Sequence, residues 1–108
     1  MIRVNFLTLE TGEICGFEVC GHANYGEHGK DIVCAAVSSA AYMVVNTISD
    51  VLNVSAEVNV RDDGYMYLRV PDKSVYLCEI LLKGLKNHLI LMEESYPRNL
   101  KVNYEEVK

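Results

Sequence analysis

Along this chain the apolar residues change their spacing four times, and that switching of period leaves few architectures open. Ile2, Val4 and Phe6 alternate with Arg3 and Asn5, and after the turn ETGE a second alternating run puts Cys15, Phe17 and Val19 on one face. Two-residue alternation marks a half-buried strand, so residues 2–9 and 13–20 are expected to form a hairpin. From Ile32 to about Leu52 the pattern becomes helical, with Asp31 as its N-cap, because a carboxylate there can accept the exposed N–H groups of a first turn. Alternation returns at 56–60 and 65–70 around RDDG, where Asp-Gly tolerates the left-handed angles of a tight hairpin. Met66, Leu68 and Val70 should then face inward. Pro71 and Asp72 open a second helix to about Glu94, in which Cys78, Leu81, Leu85, Leu89 and Met92 recur at helical spacing. Pro97 stops it, and Leu100, Val102 and Tyr104 alternate in a last strand.

The order ββαββαβ predicts an α+β fold, a largely antiparallel sheet carrying two helices, in one domain over residues 1–108. With 50% apolar and 23% charged residues, the chain has the composition of a globular protein with a modest core. The uncharged run from Ile32 to Ser49 is broken by Ser38, Ser39, Asn46, Thr47 and Ser49, reads as near neutral in hydropathy, and is expected to be a buried helix rather than a membrane span. The opening MIRVNFLTLE lacks an apolar block of signal-peptide length, so the expected location is cytoplasmic. A net charge of −5 without any Lys/Arg cluster argues against direct nucleic-acid contact and points to a basic partner. Four cysteines without a CxxC pair are expected to be thiols rather than bridges.

The chemistry concentrates in CGHANYGEHGKDIVCAAVS, residues 20–38. Cys15, Cys20, His22, His28 and Cys34 supply enough ligands for zinc, but Cys15 and Cys20 fall on opposite faces of a strand and no short Cys pair is present. Gly21, Gly26 and Gly29 match neither phosphate-loop pattern, and Asp31 at the helix mouth would repel an anion. Neither a metal nor a cofactor is therefore expected. A nucleophile uses more of the residues. Cys34 falls in the first turn of the helix, where the backbone dipole favours a thiolate by about 0.3–1 kcal/mol, less than one pKa unit, so an imidazole is also required. His22, anchored beside a strand end and Gly21, is a better base than His28 between two glycines, and Ser38 lies one turn beyond Cys34 on the same helix face. The plainer readings are a buried Cys34, a capping Asp31 and a packing Ser38. A non-catalytic peptide-binding module and a thiol or metal sensor built on Cys20, His22, His28 and Cys34 both remain open on these residues.

GHANYGEHGKDIVCAAVS, with Gly-His-Ala followed by Gly-x-Asp-Ile-Val-Cys-Ala-Ala-Val-Ser, resembles the ribosomal-processing cysteine protease family of bacteria, Prp. The resemblance implies a cytoplasmic homodimer that removes the N-terminal extension of large-subunit ribosomal protein number twenty-seven during ribosome assembly. It implies Cys34 as nucleophile and His22 as base, with Gly21, Asp31 and Ser38 in support, and a mobile loop between the two. Cys20 is an additional thiol that the resemblance does not explain. An acidic enzyme and a basic ribosomal substrate have complementary net charge, and Glu27 is the acidic group the loop would offer.

Overall fold

The computed structural model describes residues 1–21 and 32–107. Strands β1 (Ile2–Thr8) and β2 (Ile14–Cys20) form the first hairpin, and helix α1 (Ile32–Asn46) follows. Strands β3 (Glu57–Val60) and β4 (Met66–Arg69) form the second hairpin, and α2 (Val75–Ser95) leads into β5 (Leu100–Glu106). The five strands make one sheet in the order β3-β4-β2-β1-β5. All pairs are antiparallel except β1 with β5, which run parallel. The α+β class and the order ββαββαβ are as the apolar spacing predicts.

Register lines the inward residues up across the strands. Val102, Val4, Val19 and Met66 form one row, and Phe6, Phe17 and Leu68 the next. All seven are buried, with Phe6 and Phe17 ring centroids 6.3 Å apart. Burying a side chain of this size stabilises by about 1.5–3 kcal/mol. Arg3, Asn5 and Lys101 occupy the alternate positions, so the opposite face is polar. Cys15 is fully buried while Cys20 is partly exposed, the opposite orientation expected from their odd spacing.

Both helices close over the apolar face. Val33, Val37, Ala41 and Val44 of α1 and Cys78, Leu82, Leu85 and Leu89 of α2 join the same buried cluster as the strands. The run Ile32–Val51 is more apolar than a near-neutral reading, with a mean hydropathy of 1.6, and is long and apolar enough to cross a membrane by length and composition. Its apolar residues serve the core instead along one face, and Ile48 just beyond α1 is fully buried.

The final turn of this segment departs from simple α-helix. Residues Thr47–Val51 are π-helical, with the Leu52 N–H reaching the Thr47 carbonyl at 2.9 Å, while the Thr47 hydroxyl donates to the Met43 carbonyl at 2.7 Å. A hydroxyl competing for an i−4 carbonyl loosens the local ladder, which accounts for the wider turn. The second helix likewise starts with a short 3-10 turn, Asp72–Ser74, after Pro71.

Burial pushes the Cys15 and Cys78 thiols above their ordinary value, and the hydrogen bond to Glu18 pushes Tyr65 up to about 12. Each group holds its proton more tightly in the folded chain than in the unfolded one. Their contribution is complete below the unfolded-state values, near 9 for the thiols and 10 for the tyrosine, and declines as pH rises beyond them. Denaturant midpoints measured at about pH 7.5, 9.5 and 11 are expected to fall in that order, and a midpoint constant across the series would contradict this account.

Candidate active site

The first hairpin delivers the chain to the site through a constrained residue. Gly21 has φ +86°, a region that side-chain-bearing residues seldom adopt, and a Cβ at this position would overlap the Met1 carbonyl oxygen. The backbone can turn off the end of β2 here only because no side chain is present. Gly64, in the β3–β4 turn, has φ +89° and approaches the Gly21 carbonyl: a Cβ on it would lie 3.7 Å from that oxygen. The two hairpin ends therefore meet at this corner of the sheet.

Cys34 is the third residue of α1 and is partly buried against the core. It lines a cleft of about 160 Å³ together with Gly21, Ser38, Asp62 and Gly64, floored by Ile2, Val19 and Val37. Helical spacing explains why Cys34 and Ser38 share this cleft, since residues four apart lie on one face. The first turn of an α-helix also carries backbone N–H groups without intrahelical acceptors, and these favour negative charge. A thiol here therefore has part of the electrostatic setting that a nucleophile needs.

The structure thus brings together Gly21, Cys34 and Ser38 of the five residues singled out from sequence. His22 and Asp31 lie outside the described residues, as do Glu27, His28 and the loop that joins them. The sequence marks Asp62 and Gly64 only as turn residues, yet they form the opposite wall of the cleft. Nothing in their local pattern distinguishes them from any other Asp-Gly hairpin. Among the described residues, no group of three His, Cys, Asp or Glu side chains is placed to hold a metal ion.

The family model of cysteine protease Prp matches residues 1–101. This chain belongs to that family. The ribosomal processing cysteine protease Prp of Staphylococcus aureus is 30% identical over 106 residues, spanning 97% of this chain and 100% of the relative. That of Bacillus subtilis is 32% identical over 107 residues, spanning 94% of this chain and 96% of the relative. The crystal structure of the essential S. aureus Prp in complex with a covalently linked product peptide superimposes with a TM-score of 0.88 at 30% identity, covering 97% of this chain and 100% of that one. As a member of the Prp family, the chain is a cysteine protease.

The four thiols of this chain differ in setting. Cys15 and Cys78 are fully buried, and burial raises the pKa of both; the Cys15 thiol also points to the Leu7 carbonyl at 3.5 Å. Cys20 and Cys34 are partly exposed. Only a thiolate that a reagent can reach is alkylated. Brief treatment of the native protein with iodoacetamide, mapped by mass spectrometry, is expected to label Cys34 and Cys20 while Cys15 and Cys78 stay protected until denaturant is added. Labelling of Cys15 or Cys78 at the same rate as Cys34 would contradict the burial described.

Proposed function

We propose that this chain acts as a single cysteine protease domain, residues 1–108, in which Cys34 and His22 form the catalytic dyad. The observation that carries the reading is the placement of Cys34: first turn of α1, lining a cleft, four residues from Ser38 and opposite Gly21. Gly21 directs the backbone out of the end of β2, and His22 is the next residue in sequence. Asp31 directly precedes α1 and is its proposed cap, and Ser38 lines the groove beside the sulfur.

In this mechanism the imidazole of His22 accepts the proton of the Cys34 thiol, and the sulfur attacks the scissile carbonyl carbon. The developing oxyanion is stabilised by first-turn N–H groups of α1. Collapse of the tetrahedral intermediate breaks the C–N bond, and His22 returns its proton to the departing amine. Water then adds to the thioester with His22 as base, releasing the acid and restoring the thiol. A peptide covalently linked to the S. aureus relative is in keeping with an acyl-enzyme pathway.

The proposed substrate is the N-terminal extension of large-subunit ribosomal protein number twenty-seven, cleaved in the bacterial cytoplasm during ribosome assembly. Two curated relatives carry ribosomal processing in their names, and the net charge of −5 complements a basic substrate. Incubation of the extended ribosomal protein with Cys34→Ala or His22→Ala is expected to show cleavage reduced by roughly 10³-fold or more in each. Cleavage near the wild-type rate by either variant would remove that residue from the dyad.

The same reading includes a homodimer, and the proposed contact is the apolar groove between α1 and α2. Met43 and Ala40 line one side of it and Ile80, Leu81 and Gly84 the other, with Ile80 87% exposed and Tyr76 close by in sequence 77% exposed. Exposed apolar surface of this kind on neighbouring helices favours association. Ile80→Glu is expected to shift the protein from dimer to monomer in sedimentation velocity runs at micromolar concentration, whereas an unchanged dimer would place the contact elsewhere.

A further inference from the structure

The cleft at Cys34 does not end at Ser38. A second cleft of about 320 Å³ shares Ser38, Asp62 and Gly64 with it and continues past Tyr42 and Tyr65. The two meet as one groove, walled on one side by α1 and on the other by the β3–β4 turn. Tyr42 is 43% exposed, so its ring is available to whatever lies there.

Most polar side chains of the turn are engaged in holding its shape. The Arg61 guanidinium sits 4.0 Å from the centroid of the Tyr65 ring, and its Nε lies 4.0 Å from Asp63 Oδ1. Asp63 Oδ1 also accepts the Tyr65 backbone N–H at 3.2 Å, and the Tyr65 hydroxyl donates to Glu18 at 2.6 Å. The backbone closes the turn through the Arg61 N–H to the Tyr65 carbonyl at 3.0 Å. Asp62 takes no part in this network. Among the described residues its side chain makes neither a hydrogen bond nor an ion pair, and it is exposed at the junction of both clefts.

We propose that Asp62 is a specificity-determining residue that selects peptides carrying a Lys or Arg side chain close to the scissile bond, at the point where the two clefts meet. This rests on the reading of Cys34 as the nucleophile. A long basic side chain suits the groove at both of its ends. Its aliphatic stem can lie along Tyr42 and Met66, while its cation meets a carboxylate that makes no ion pair among the described residues. An acidic side chain in the same place would face Asp62 directly, within a protein of net charge −5.

The test uses synthetic peptides spanning the cleavage junction of the extended ribosomal protein, with Lys, Gln or Glu placed in turn at each of the positions flanking the scissile bond. kcat/KM is measured for the wild type, Asp62→Asn and Asp62→Lys. At one position the wild type is expected to prefer Lys over Glu by about three- to five-fold, the range of an exposed charge pair. Asp62→Asn should erase that preference and Asp62→Lys should invert it. The wild-type preference should also shrink in about 0.5 M salt, where charges are screened over a few ångströms. A wild type indifferent to charge at every position overturns the proposal, as does a preference that survives in Asp62→Asn. An Asp62→Asn variant slowed by one common factor on every peptide also overturns it, since that behaviour belongs to a structural role. Each of these results leaves the cysteine protease reading intact. Failure of the wild type to cleave any of the peptides or the extended protein would take both readings down together.

Discussion

The structure depends on burying one apolar face of the Ile32–Val51 segment in the same core as the inward rows of the sheet. Val33 and Val37 near its start, Val44 and Val45 further on, and Ile48 in its π-helical end are all buried in the cluster that holds Phe6, Phe17 and Leu68. Apolar burial has no direction of its own, but helical spacing does. Once Val33 and Val37 are fixed in the core, Cys34 and Ser38 follow at one residue's rotation and reach the edge of the buried layer. The energy that stabilises the fold thus also aims the thiol at the cleft.

The second constraint is geometric. Gly21 leaves β2 at a positive φ with the Met1 carbonyl where a side chain would be, and Gly64 brings the other hairpin against the Gly21 carbonyl. Two turns that are 43 residues apart in sequence therefore build a single corner, with the amino end of α1 above it. The chain is a cysteine protease of the Prp family, and Cys34 is a thiol that lines this corner. In the proposed reading, activity and specificity are drawn from different parts of it, Cys34 at the helix start for the bond-breaking chemistry and Asp62 in the β3–β4 turn for the substrate's charge.

Much of this was legible in the one-dimensional pattern. Alternation at Ile2–Phe6, Cys15–Val19 and Met66–Val70 identified the inward face of three strands, and every one of those apolar residues is buried. The helix from Ile32 ends near Leu52 as its pattern indicates, though its last turn is wider than α-helical because Thr47 competes for a carbonyl. The serines of that segment suggest a near-neutral hydropathy, yet they sit among residues apolar enough to span a membrane by composition. That Cys34 and Ser38 share one cleft follows from the 3.6-residue repeat of a helix, which local sequence alone records.

What the amino-acid order determined is everything that depends on near neighbours: the periods of strands and helices, the turns at Gly and Pro, and the thiol in a first helical turn. What only the folded chain decided is which distant pieces meet. The parallel pairing of β5 with β1 and the placement of Asp62 across from Cys34 arise from contacts between segments far apart in sequence. Their pairing is selected by the whole core packing at once, and no stretch of residues carries that information locally.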